Sequence, residues 1–472
     1  MRFVSAPSRG LLGFLAAAWL AALASAAAAE SEFDEAGKMR LPASAQRSGD
    51  PTRGRDYLVN GDYLSSGIPL ALYRAIRGES SRNALGREGE NATLPPAVTA
   101  VRAPNGQTVV TANCLACHGQ QINGQYIVGL GNSLRDFTED SAATANLVDR
   151  MLRVTGVLDP APREAFAPFR DVIRTVSPHI RTQVRGTNPA IKLAYVLAAH
   201  RDPVTLQWSD EPLLPLPDED EVIPSDVPAL WLLRKKNAMF HNGMGRGDFA
   251  RTMMASSLMT LRDDSEAAGI DERFVDVLAF LNTLEPPSFP GSIDGALRDR
   301  GAEVFSRRCA SCHGRYGERP SYPNVLVHLD RIGTDPALAL AARQDHQAHL
   351  AIYNESWFGQ GDHAARLEPE PGYVAPPLDG VWATAPYLHN GSVPTLAALL
   401  DSGERPDYWR RSFKSGDYDL ERVGWKFEEE NAGGHKHIYD TSLPGHSAAG
   451  HLYGDKLTAA ERRAVLEYLK SL

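Results

Sequence analysis

Two pentapeptides carry most of the chemistry this chain can do. Residues 114–118 read CLACH and residues 309–313 read CASCH, and together they use all four cysteines of the 472-residue chain. A Cys-x-x-Cys pair alone also fits a disulfide, a redox dithiol or half of a zinc site. Here a histidine abuts the second cysteine both times and a glycine follows it both times, which is poor spacing for four ligands converging on zinc. Cys-x-x-Cys-His is the attachment signature of c-type haem: two thiols about one helical turn apart each add to a vinyl group, and the adjacent histidine ligates the iron from below. The sequence therefore predicts two covalently bound c-type haems, held by Cys114, Cys117 and His118 and by Cys309, Cys312 and His313, with His118 and His313 as axial iron ligands.

The opposite face of each iron decides its use. A strong second ligand makes an electron-transfer haem, and an open face makes a reactive one. Near the first site the stretch NAMFHNGMGRGDFARTMM offers Met239, His241, Met244, Met253 and Met254, while Phe240 is placed to wall an open pocket. For the second site the supply is His389, His435, His437, His446 and His451.

These sites need elements to hold them. Phe274, Val277, Leu278 and Leu281 recur at helical spacing, and Glu285-Pro286-Pro287 ends that helix. After a Pro/Gly linker, GALRDRGAEVFSRR reads as a helix running into Cys309. The chain closes with a helix whose Thr458 and Glu461 form a capping box and whose Val465, Tyr468, Leu469 and Leu472 form its apolar stripe. A helix leading into the pentapeptide with a last helix packed across it is a cytochrome c layout, and it is expected twice. The expected fold is mainly α, two cytochrome c-type haem domains with long loop insertions, divided as 30–288 and 289–472. Asn105-Gly106 in VRAPNGQTVV marks a tight turn, and one or two short hairpins are the only strands expected. The Pro- and acid-rich passage WSDEPLLPLPDEDEVIPSDVPALW reads as an extended surface loop.

Residues 1–29 carry Arg2 and Arg9, no acid, and a long apolar run ending in Ala and Ser, the pattern of a secretory signal peptide. This predicts a periplasmic or secreted protein, the compartment where c-type haem is attached. The net charge of −9 argues against nucleic acid as a partner and leaves room for a basic redox-carrier protein. Asn91, Asn390 and Arg246-Gly247-Asp248 match glycosylation and adhesion patterns that have no bearing on a bacterial periplasmic protein.

The segment VAPPLDGVWATAPYLHNGSVPTLAALL, with the two pentapeptides, resembles the bacterial di-haem cytochrome c peroxidase superfamily. NAMFHNGMGRGDFARTMM and the ending GHSAAGHLYGDKL are most similar to its rubber-oxygenase branch. The resemblance implies a reactive N-terminal haem with an open, apolar face near Phe240 and a C-terminal electron-transfer haem ligated by two histidines. Its sixth ligand would be His451, with His389 a neighbour that hydrogen-bonds nearby, and Trp382 a relay between the haems. It also implies a small-molecule or hydrophobic substrate with peroxide or oxygen as oxidant, and allows a calcium ion between the halves. Two departures stand out: the chain is shorter than the rubber oxygenases, and no peroxidase-type distal histidine–glutamate pair is identifiable. The competing reading is a di-haem electron carrier without a substrate pocket; a gas-sensing haem module is a third.

Overall fold

In the computed structural model, residues 33–155, 159–216, 223–344 and 347–472 are described; the expected signal peptide at 1–29 and positions 217–222 of the acidic passage lie outside them. The structure is 40% helix and 14% strand, a mixed α/β fold that corrects the expected mainly α class. Its strands are two to five residues long, too short for alternation of side chains to show, and most pair with partners distant in sequence.

The N-terminal strand β1 (Lys38–Arg40) leads to helix α1 (Pro51–Asn60), whose first turn is capped by the Asp50 carboxylate accepting from the Thr52 and Arg53 amides. Strands β2 (Val98–Arg102) and β3 (Thr108–Ala112) form the hairpin turned by Asn105-Gly106, with Val98 opposite Ala112 and Arg102 opposite Thr108. The hairpin delivers the chain directly into α2 (Leu115–His118), the first pentapeptide. This corrects the expected repeat of one layout: the first site is entered from a strand and only the second from a helix.

Helix α3 (Asp264–Leu281) buries the whole predicted stripe of Phe274, Val277, Leu278 and Leu281. It crosses α1 so closely that a Cβ on Gly54 would stand 1.8 Å from the Asp276 carbonyl oxygen. After the linker, α4 (Gly295–Arg308) runs into α5 (Ala310–His313), the second pentapeptide. Strand β4 (Val325–His328) is the centre of a three-stranded antiparallel sheet between β1 and β5 (Gly372–Val374), with Lys38 opposite Val327 and Tyr373 opposite the same residue. Pairing thus crosses the linker. The closing helix α6 (Ala459–Lys470) carries the predicted capping box and lies across α4, where a Cβ on Gly301 would meet the Ala464 carbonyl oxygen at 2.0 Å. Larger residues at Gly54 or Gly301 would push apart the helix pairs that frame the two sites.

The loop between β1 and α1 is fixed by the buried Leu41 at its start and by charge at its end. Arg47 reaches the Asp248 carboxylate at 2.7 Å and that of Asp271 at 2.6 Å, and Arg251 adds a 3.0 Å contact to Asp271. Both carboxylates are buried. Taking away one partner of such a network leaves uncompensated buried charge, at a cost of about 3–5 kcal/mol. Arg47→Ala should lower the unfolding free energy by about 3 kcal/mol in urea titration; a change under about 0.5 kcal/mol, the size typical of surface substitutions, would show the network to be dispensable.

Candidate functional site

Each pentapeptide is one turn of helix. The His118 amide donates to the Cys114 carbonyl at 2.9 Å and the His313 amide to the Cys309 carbonyl at 3.0 Å, so each cysteine pair and its histidine lie on one short curl of backbone. The first turn is anchored by the Tyr63 hydroxyl, which accepts from the Cys114 amide at 3.0 Å, and by the Asn113 side chain, which accepts from the Leu115 amide at 2.9 Å. Burial raises the thiol pKa of Cys114 and Cys117 and pushes that of Cys309 up to about 11. Redox-active Cys-x-x-Cys pairs depend on a lowered thiol pKa. The four cysteines are not joined as disulfides. Both facts oppose the dithiol and disulfide alternatives.

Cys114, Cys117 and His118 keep accessible surface although protein surrounds them, as do Asp226, Lys236 and His241. Side chains of this kind border an internal space, which is what a covalently held macrocycle requires. Burial holds His118 down to about 4 and His241 likewise to about 4, so both are neutral imidazoles, the form that ligates iron. The two pentapeptide histidines are supported differently. The Nδ1–H of His313 donates to the Pro376 carbonyl at 2.8 Å, whereas the Nδ1 of His118 is buried without a hydrogen-bond partner. A backbone acceptor on Nδ1 leaves the Nε2 lone pair for a metal and fixes the ring plane.

Across from His313 stands His451, with ring centres 6.1 Å apart and ring planes at 60°. Two imidazoles trans on one iron, with metal–nitrogen bonds of about 2 Å, have ring centres about 6 Å apart, so the pair fits a haem between them. Burial, with His313 and Arg405 as neighbours, pushes His451 down to about 3. His451 sits at φ 50°, a left-handed conformation that costs a non-glycine residue about 1–2 kcal/mol. Its amide donates to the Ile332 carbonyl at 2.7 Å, while Arg405 donates to the carbonyls of Ala448 and Gly450 at 2.6 and 2.8 Å. These bonds, more than the closing helix, hold the loop in place.

A RoxA-like, cytochrome c-like family model matches residues 372–410. The matched segment contains Pro376, and so supplies the support of the second-site histidine. Two relatives from Sinorhizobium fredii (strain NBRC 101917 / NGR234) are similar over larger stretches. The uncharacterized protein y4iJ is 33% identical over 253 residues, covering 40% of this chain and 41% of that protein. The uncharacterized protein y4iM is 32% identical over 257 residues, covering 48% of this chain and 56% of that protein. The chain thus spans about half the length of these curated relatives.

The RoxA-like segment also contains His389 and Trp382. His389 is buried and stacks on Tyr373 at 3.9 Å between ring centres, on the side of His241 rather than of His313. Trp382 is buried, donates to the Pro287 carbonyl at 2.8 Å and packs edge-on against Phe289. His446 bonds the Pro444 carbonyl, and His435 and His437 lie side by side, none of them against His313. Met239, Met244 and Met254 are core residues. Phe240, in the turn closed by the Met239–Gly245 bridge, takes φ 68° and stays 37% exposed, an outlying backbone for a bulky residue. Asn390, Arg246 and Asp248 are buried, which removes the glycosylation and adhesion matches there. Among the described residues no cluster of three or more His, Cys, Asp or Glu side chains is arranged to hold a metal ion.

Trp231 carries no signal in the sequence, yet it sits between the sites. The His118 carbonyl accepts from the Gly129 amide and the Gly129 carbonyl from the Leu230 amide, both at 2.8 Å. The adjacent Trp231 donates its indole N–H to the Asp379 carbonyl at 2.8 Å. The Leu378 amide in turn donates to the Tyr316 hydroxyl at 2.6 Å, and that hydroxyl to the His313 carbonyl at 3.1 Å. A continuous covalent and hydrogen-bonded route therefore joins the two pentapeptides through Trp231.

Proposed function

We propose that this chain is a periplasmic di-haem c-type cytochrome that works as a redox enzyme of the peroxidase or oxygenase type, with a reactive N-terminal haem and an electron-transfer C-terminal haem. The observation that carries the reading is asymmetry. His313 faces a second imidazole, whereas His241, the imidazole that borders the same space as His118, turns its Nε2 to the Asp226 carbonyl at 3.1 Å. Haem iron with two strong axial ligands exchanges electrons, and with one it also binds small molecules such as oxygen or peroxide. In this reading Cys114, Cys117 and His118 hold the first haem, and Cys309, Cys312, His313 and His451 the second. Phe240, in its constrained turn, walls the open face, and Trp231 joins Trp382 as a candidate for passing electrons between the sites. The substrate is a small or hydrophobic molecule, the electron partner a small redox protein, and the peroxidase superfamily the wider kinship. No helix among the described residues is long and apolar enough to cross a membrane, which leaves the periplasmic assignment to the leader.

Electron spin resonance of the oxidised protein tests this. One low-spin signal with two imidazole ligands should stand beside one signal that is high-spin or weakly ligated, and cyanide should shift only the second of these. Two low-spin irons inert to cyanide, and to carbon monoxide after reduction, would establish the electron-carrier reading instead.

A further inference from the structure

We propose that a cavity of about 320 Å³ beside the first pentapeptide, entered by the guanidinium groups of Arg82 and Arg135, binds an organic carboxylate with a compact apolar body. One side of it is the hairpin that follows the pentapeptide, strands Gly119–Ile122 and Gln125–Val128, with Gln121 opposite Tyr126. Asn132, also in the lining, ties this side to the pentapeptide: its amide donates to the Cys117 carbonyl at 2.8 Å and its side chain to the Ala116 carbonyl at 3.1 Å. Pro95, Pro96 and Leu134 supply apolar walls. The volume equals about ten waters at roughly 30 Å³ each and lies within the range of small-molecule pockets.

The charge here is unbalanced by geometry alone. Among the described residues no Asp or Glu lines the cavity, and neither Arg82 nor Arg135 has a carboxylate at ion-pair distance. Arg82 is exposed and spends one N–H on the Gly124 carbonyl at 2.5 Å. Arg135 is half-buried: its Nε is enclosed without a hydrogen-bond partner, and its terminal nitrogens make no hydrogen bond and keep accessible surface. Its guanidinium lies 5.4 Å from the Phe137 ring, a contact that leaves the N–H edge free. The same lining holds two further unsatisfied groups. Gln120 is 2% exposed, its Oε1 taken by the Ser133 amide at 2.7 Å and its Nε2 without a partner, and the Tyr126 hydroxyl is likewise buried and unpartnered. Buried polar groups are nearly always hydrogen-bonded, so their concentration around one cavity marks a site completed from outside the chain. The free groups are mostly N–H donors, which calls for an acceptor-rich partner. A carboxylate offers acceptors only, and a guanidinium fork meets it in two parallel bonds, while the proline and leucine walls suit an apolar body of the size of a benzene ring.

The cavity does not depend on the haem reading, and its test uses the protein with whatever haem it carries. Calorimetric titration at fixed ionic strength should show saturable binding of sodium benzoate, with benzamide, its neutral counterpart of the same shape, weaker by about tenfold or more. Arg82→Gln, at an exposed position, should weaken benzoate about tenfold, and Arg135→Gln by at least as much. Haem content and circular dichroism, measured alongside, identify a variant that has failed to fold, and the exposed position of Arg82 keeps one folded variant in hand. No saturable binding of benzoate, equal binding of benzoate and benzamide, unchanged benzoate binding in folded Arg82→Gln protein, or saturable binding of inorganic phosphate but not of benzoate would overturn the proposal.

Discussion

His451→Ala should convert the second iron from low-spin to high-spin. The argument rests on what holds His451 rather than on its identity alone. The Ile332 carbonyl and the Arg405 guanidinium bind the backbone of residues 448–451, not the imidazole, so removal of the ring leaves the loop in place. The position opposite His313 then falls to water or stays open. A lost imidazole donor destabilises the ferric state more than the ferrous, so the reduction potential of that haem should rise, while the Nδ1–H bond from His313 to Pro376 keeps the proximal side intact. The optical spectrum should gain a high-spin band of roughly one haem's intensity. Cyanide should now perturb both irons, where in the parent protein it perturbs one. A low-spin spectrum surviving in His451→Ala but lost in a variant of His389, His435, His437 or His446 would move the ligand elsewhere.

How far these residues are legible in the sequence depends on whether the information is local. The stripe of α3 and the capping box at Thr458 are written within one or two turns of helix, and the structure has both. The pentapeptides are legible for the same reason: thioether geometry demands adjacency in sequence. The sheets are not. Lys38–Arg40 pairs with Val325–Val327 across most of the chain, and three residues cannot display alternation. That is why a mixed α/β fold reads as mainly α.

The same division runs through the candidate site. His451 stands out because a histidine-containing loop precedes the closing helix, but its real restraints, Ile332 and Arg405, come from elsewhere in the chain. Trp231 has no local mark at all; it matters only because Gly129 and Asp379 meet on either side of it.

The double replacement Cys114→Ala and Cys117→Ala should remove one haem of two from the protein as isolated. Intact mass should fall by one haem, and the haem-to-protein ratio from two to one. The second site should be spared, because its thiols, its two histidines and the Pro376 support all lie C-terminal to the linker. The loss should also be structural. Without the macrocycle, the space bordered by His118, Asp226, Lys236 and His241 either fills with water or collapses, and collapse would bring polar groups into apolar surroundings. Burial already brings Lys236 down to about 8, and no hydrogen bond or ion pair to its ammonium is present among the described residues. The expected penalty is several kcal/mol, so the variant should unfold at a lower denaturant midpoint even where its second haem is retained. The single replacements separate covalent anchoring from fit. With His118 still in place on the same turn, its amide bonded to the Cys114 carbonyl, Cys117→Ala should keep its haem through the remaining Cys114 thioether but release its fold on milder heating. A double variant that retains two covalent haems would show that residues 114–118 are not an attachment site, and the reactive haem would have to be sought elsewhere.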